Sequence, residues 1–111
     1  MKVMASEAQV LSAVCEYLAL KQKQNKLMFF RNNTIPVYDK VRGAYRALPK
    51  YAIAGNADVI VVLSGWAIFV ECKATKGRLS PAQMDFQRLV EKNGAEYIVV
   101  RSIDDLVEHG L

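Results

Sequence analysis

Asp58, Glu71 and Lys73 are the residues of this 111-residue chain best placed to do chemistry. The two acids stand at the open end of two apolar runs, ADVIVVL and WAIFVEC, which meet at Ser64-Gly65. If that dipeptide is a two-residue hairpin turn, Leu63 faces Trp66, Val61 faces Ile68, Val59 faces Val70 and Asp58 faces Glu71. Opposed residues hold their Cβ atoms about 4.5–5.5 Å apart and point to the same face. Two carboxylates so placed repel unless a cation lies between them. Mg²⁺ suits such a pair, because it takes one or two carboxylates and fills its remaining positions with water and phosphate oxygens. Lys73, two residues beyond Glu71 on the same face, would stand beside that cation. There it could orient or deprotonate an attacking water, or neutralise charge building on a phosphate. The plainer reading is a surface ion pair between Glu71 and Lys73, which leaves Asp58 unexplained.

The rest of the two runs sorts by face. Asp58, Ile60, Val62, Ala67, Phe69, Glu71 and Lys73 share one, and Val59, Val61, Leu63, Trp66, Ile68, Val70 and Cys72 share the other. Both are apolar until the open end, the pattern of a sheet buried on both sides. A fourth polar residue joins from the N-terminal region. SEAQVLSAVCEYLALKQKQ reads as a helix capped by Ser6 with Gln9, with an apolar stripe of Leu11, Val14 and Leu18 flanked by Val10 and Tyr17. Glu7 heads that stripe. It is either a carboxylate aimed inward, which needs a partner, or an acid favoured by the helix dipole.

The elements that must hold these residues follow from periodicity and punctuation. LMFFRNN is a short strand, and TIPVYDKVRGAYRALPKY, interrupted by Pro36, Gly43 and Pro49, is a bent hairpin or loop. LSPAQMDFQRLVEKNG is a helix with Ser80 as cap, Pro81 in the first turn, Gln83 completing a capping box and Gly94 as terminator. Ala82, Phe86, Leu89 and Val90 form its buried side. EYIVV is a last strand and SIDDLVEHG a short closing helix capped by Ser102. This order predicts one α/β domain over residues 1–111, a central mixed β-sheet flanked by helices on both faces.

Composition narrows the function. Residues 31–50 hold Arg31, Lys40, Arg42, Arg46 and Lys50 against the single acid Asp39, a balance equal to the net charge of the whole chain, +4. Interleaved with Tyr38, Tyr45 and Tyr51, this segment reads either as a phosphate-contacting surface or as a solvated loop. Two cysteines, Cys15 and Cys72, each in an apolar run, indicate neither a disulfide framework nor a zinc site, which points to a reducing, cytoplasmic setting. No signal peptide or membrane-spanning run is present, so no membrane partner is expected. The lack of a G-x-x-x-x-G-K-[ST] loop leaves a nucleotide hydrolase unsupported, and a histidine-metal hydrolase fares worse, since His109 is the single histidine.

Taken together, G-N-A-D (Gly55–Asp58), E-C-K (Glu71–Lys73) and K-G-R-L-S-P-A-Q (Lys76–Gln83) resemble the VRR-NUC family of the PD-(D/E)XK nuclease superfamily. The likeness spans nearly the whole chain, including an acid in the first helix and R-N-N (Arg31–Asn33) on the first strand. The proline that usually precedes the aspartate in the superfamily is replaced by Ala57. The resemblance implies a restriction-endonuclease-like core. It implies Mg²⁺ or Mn²⁺ on Asp58, Glu71 and the Cys72 backbone carbonyl, with Lys73 catalytic. Glu7 would be the first-helix acid, reaching the metal directly or through water, and Gln83 the family's glutamine. DNA would meet Arg31, Asn33, Lys40, Arg42, Arg46, Lys76 and Arg78. Stand-alone members resemble Holliday-junction resolvases, implying a homodimer acting on branched, four-way DNA. The alternatives are a monomeric flap or nicking nuclease and a DNA-binding module that has kept the fold without chemistry.

Overall fold

In a computed structural model the described residues are 4–32, 38–45 and 48–111; Asn33 and Arg46 lie outside them. Helix α1, Glu7–Lys23, starts where the Ser6 hydroxyl accepts the Gln9 N–H (3.2 Å) and the Gln9 side chain accepts the Ser6 N–H (2.8 Å). It ends as Asn25 takes a positive φ of 59°. Strand β1 (Met28–Arg31) follows, then a short ladder of β2 (Tyr38–Asp39) with β3 (Ala44–Tyr45), which realises the expected hairpin in part.

Strands β4 (Val59–Leu63) and β5 (Trp66–Cys72) pair in the register expected from the sequence, Leu63 with Trp66 through Val59 with Val70. The turn explains why. Ser64 and Gly65 both have positive φ, 49° and 83°, the conformation whose twist matches two antiparallel strands. Helix α2 (Pro81–Lys92), capped by the Ser80–Gln83 box, then carries the chain to β6 (Glu96–Val100), which runs parallel to β5. The short helix α3 (Ile103–Glu108) closes the chain. The result is an α/β domain with a four-stranded mixed sheet, order β1-β4-β5-β6, and three helices. No helix among the described residues is long and apolar enough to cross a membrane.

Two apolar clusters hold these elements. The larger joins Val10, Val14 and Leu18 of α1 to Val59, Val61, Ile68, Val70, Cys72, Ile98 and Val100 of the sheet and to Leu106 of α3. The stripe of α1 is therefore centred on Val10–Val14–Leu18, with Leu11 half-buried beside it. The smaller cluster sets Phe86 and Val90 of α2 on Ala57 and Tyr97 with Phe69 and Val99. Phe86 meets Phe69 and Tyr97 edge-on, with ring centroids 5.5 and 6.1 Å away.

Two expectations about burial are corrected. Leu89, expected on the buried side of α2, is 43% exposed. It lies about 60° round the helix from Phe86, on the flank opposite Gln83, and the helix settles toward the Gln83 side. The face carrying Ile60 and Val62 is also less covered than its apolar pattern suggests. Both are half-buried, and their β1 partners Phe30 and Met28 are exposed.

Leu18→Ala should therefore cost about 2–5 kcal/mol of stability in urea denaturation. Leu89→Ala should change it by less than about 1 kcal/mol. A larger loss at Leu89 would contradict this seating of α2.

Candidate metal centre

The register that aligns β4 with β5 brings Asp58, the residue before β4, across from Glu71, the penultimate residue of β5. Glu71 is only 1% exposed. Asp58 is steadied by its partner strand, its Oδ2 accepting the Cys72 N–H at 2.9 Å. Ligand oxygens of Glu7, Asp58 and Glu71 all lie within 4.8 Å of one another.

Helix α2 positions the third side of the site. Gln83 uses its Oε1 to accept the Ser80 N–H (2.9 Å), which completes the cap, and its Nε2 to donate to Glu71 Oε1 (3.0 Å). The helix cap and the contact with Glu71 are thus held by opposite ends of one amide. The cap fixes the orientation in which the NH₂ faces the carboxylate. Gly55 makes that approach possible. Its φ of +76° is left-handed, and a Cβ there would fall 2.3 Å from the Ala82 carbonyl oxygen and 2.6 Å from the Gln83 nitrogen. Only glycine lets the segment leading to Asp58 lie against the first turn of α2.

Lys73 is buried, and its N–H donates to the Val100 carbonyl at 3.0 Å, so β5 stays tied to β6 through this residue. Its ammonium lies 3.8 Å from Glu7 Oε1. Glu7 itself is not the inward-aimed carboxylate that its place in the stripe suggested. Its side chain is 53% exposed, because it lies one turn before Val10, where the buried part of α1 begins. Position at the helix start, rather than burial, places it at the rim of the site.

Burial pushes Glu71 up to about 8 from an ordinary 4.5, and the nearby Asp58 charge adds to the shift. Lys73 opposes the rise, and Glu7 adds to it. Despite the bond from Gln83, Glu71 Oε2 is buried with no hydrogen-bond partner. The same holds for Asn32 Nδ2 and the Tyr97 hydroxyl.

The structure brings together Glu7, Asp58, Glu71, Cys72, Lys73 and Gln83. Arg31 ends β1, exposed. Lys76 and Arg78 are exposed on the loop after β5. Lys40 and Arg42 are exposed on the turn between β2 and β3, a hairpin that shares no ladder with the main sheet. Asn33 and Arg46 lie outside the described residues. Two residues were missed by sequence reasoning. Arg101 donates from Nη2 to the Gly77 carbonyl (2.8 Å), pinning the Lys76–Arg78 loop, and nothing local in the sequence announces this. Asn32, noted in the sequence only as part of R-N-N and given no role, lies beside Asp58, its N–H donating to the Asp58 carbonyl at 2.9 Å. No family model, curated protein or solved structure matches the chain.

Because folded Glu71 holds its proton up to about pH 8 and an unfolded one only to about 4.5, the native state binds more protons between those values. Stability of the metal-free protein should then fall as pH rises through that window. Glu71→Gln should remove that decline, as read from thermal melts at pH 5, 7 and 8.5. Asp58→Asn should melt higher than wild type without metal, and added Mg²⁺ should stabilise wild type but not the variant. Identical melts for the two proteins in all conditions would show that the two carboxyls do not interact.

Proposed function

We propose that this chain is a divalent-metal-dependent endonuclease that hydrolyses phosphodiester bonds in DNA. The single observation that carries the reading is Glu71. It is a carboxyl group removed from water, with Oε1 held by Gln83 and Oε2 without a hydrogen-bond partner, and it faces two further carboxyl groups. A buried acid with an empty lone pair is costly. A hard cation would satisfy Glu71 Oε2 and relieve the repulsion from Asp58 and Glu7, so the donor set fits Mg²⁺ or Mn²⁺. When bound, such a cation polarises a phosphate oxygen and lowers the pKa of a coordinated water.

The chain's own residues divide the remaining work. Asp58 and Glu71 hold the charge, with the Cys72 carbonyl between Glu71 and Lys73 as a further oxygen donor and Glu7 completing the set from the rim. Gln83 keeps Glu71 in one rotamer. Lys73 presents an ammonium group, screened from solvent, where negative charge grows on the phosphate. In this reading the exposed Arg31, Lys76 and Arg78, with Lys40 and Arg42 on the β2–β3 turn, would contact the phosphates of the DNA backbone. The fold reading that goes with this activity is a restriction-endonuclease-like core with helices on both faces of the sheet. It is supported by the two apolar clusters, one made with α1 and α3 and the other with α2.

The substrate in this reading is branched DNA, and the active form is a homodimer whose twofold symmetry suits a four-way junction. Exposed Met28 and Phe30 on the outermost strand offer an apolar surface for the second copy. The cytoplasm is the matching compartment, since Cys15 and Cys72 are both free thiols.

Four-way junctions, flaps and linear duplexes incubated with Mg²⁺ or Mn²⁺ and resolved on denaturing gels test the reading, with light scattering for the oligomeric state. Asp58→Asn and Lys73→Ala should each lower cleavage by about 10²-fold or more while leaving DNA binding in place. Turnover by wild type in excess EDTA would defeat the metal mechanism. A monomer that cuts flaps and ignores junctions would replace the resolvase-like reading with the flap nuclease. DNA binding without cleavage would leave a non-catalytic module.

A further inference from the structure

Asn32 is the one polar residue of the site's row that the nuclease reading has not used. Strand β1 pairs with β4 from Met28 opposite Val62 to Arg31 opposite Val59. The Asn32 N–H continues the ladder by donating to the Asp58 carbonyl at 2.9 Å. Asn32 is therefore directly opposite Asp58, as Asp58 is opposite Glu71. Directly opposed residues share a face, so three polar side chains form one line across β1, β4 and β5 at the same end of the sheet.

The side chain of Asn32 is not explained by the protein around it. Its Nδ2 is buried with no hydrogen-bond partner. Asp58, directly opposite, gives its Oδ2 to the Cys72 N–H. An unpaired buried amide donor costs about 1–3 kcal/mol. Turning the amide over would not help, since it would set a carbonyl oxygen against a site already crowded with carboxylates. The unpaired group is thus a neutral donor beside an acidic centre. A lysine or arginine here would compete with a cation, and an acid would add to the repulsion. An amide N–H does neither. What it can bind is an anionic oxygen brought to the carboxylates from outside. β1 is the outermost strand at this end, and exposed Arg31 precedes Asn32.

We propose that Asn32 is a substrate-contacting residue of this site, its side-chain amide donating a hydrogen bond to a non-bridging oxygen of the DNA phosphate seated beside Asp58. The inference rests on the nuclease reading above. It makes the phosphate a bridge between two strands: Asn32 grips it from β1, and Lys73 meets it from β5. The phosphate is thereby oriented as well as attracted.

The test uses Asn32→Ala, Asn32→Asp and Asn32→Ser in the full chain, with thermal melts to establish folding. Mn²⁺ binding is measured by calorimetry without DNA. Binding of a fluorescent four-way junction and of a linear duplex is measured by anisotropy in Ca²⁺, and cleavage by single-turnover kinetics in Mn²⁺. Asn32→Ala should bind Mn²⁺ within about threefold of wild type, lose about fivefold or more in DNA affinity and cleave about 10²-fold more slowly, as expected for a lost donor to developing charge. Asn32→Ser, which keeps a short donor, should recover part of both losses. Asn32→Asp, of the same size but without the N–H, should not. If Asn32→Ala binds and cuts DNA like wild type while Asp58→Asn is dead, the proposal is overturned and the nuclease reading stands. Weakened Mn²⁺ binding in Asn32→Ala would also overturn it, by assigning Asn32 to the cation. If wild type cuts neither DNA, the nuclease reading fails instead, and the anisotropy arm still decides whether Asn32 holds phosphate.

Discussion

The structure depends on keeping two carboxyl groups, Asp58 and Glu71, opposite one another when one of them has been withdrawn from water. Their approach is enforced by covalent geometry at a distance. A two-residue turn at Ser64-Gly65 sets the β4–β5 register, and the register leaves no other place for the acids. Repulsion across a strand pair costs little in water but grows as the dielectric falls. The surrounding elements act on that problem. Cys72 steadies Asp58, Gln83 steadies Glu71, Lys73 supplies a nearby positive charge, and the native state answers by holding a proton on Glu71.

The sheet divides its two sides between different tasks. One alternate set of side chains packs with α1 and α3 into a cluster dominated by Val, Leu and Ile, where removing water from apolar surface stabilises the fold. The other set carries the acids. The three buried side-chain atoms found without partners, on Asn32, Glu71 and Tyr97, belong to that second side. Unpaired polar groups are expensive, and here they are gathered at or beside one site while the opposite side is apolar.

Helix α2 links the two demands. Its Phe86 and Val90 anchor it to Phe69 and Tyr97, and its first turn reaches the carboxylates. The close approach at Gly55 joins that first turn to the segment entering β4, so the positions of Gln83 and Asp58 are mechanically coupled. A site built this way inherits its rigidity from strands and a capped helix rather than from loops, which holds its side chains in a fixed geometry.

Features governed by neighbours in the chain were legible from the residues alone. The Ser6–Gln9 and Ser80–Gln83 caps, the Ser64-Gly65 turn, the alternation of the two strands and hence the Asp58–Glu71 opposition all follow from interactions spanning a few residues or one tight turn. The place of Lys73 beside the two acids was also readable, because it follows Glu71 by two residues on the same face, whereas Glu7 and Gln83 joined the group only through the family resemblance. Tertiary structure decided the rest. Whether Leu89 or Gln83 flanks the buried side of α2 depends on which way the helix settles on the sheet. The exposure of Glu7 depends on where α1 begins to overlap the strands. Asn32 enters the row only through pairing of β1 with β4, and Arg101 finds Gly77 only after β6 has been laid beside β5. Those contacts close long loops between segments with no shared local pattern. Their geometry is set by the packing of whole elements, which periodicity and spacing do not encode.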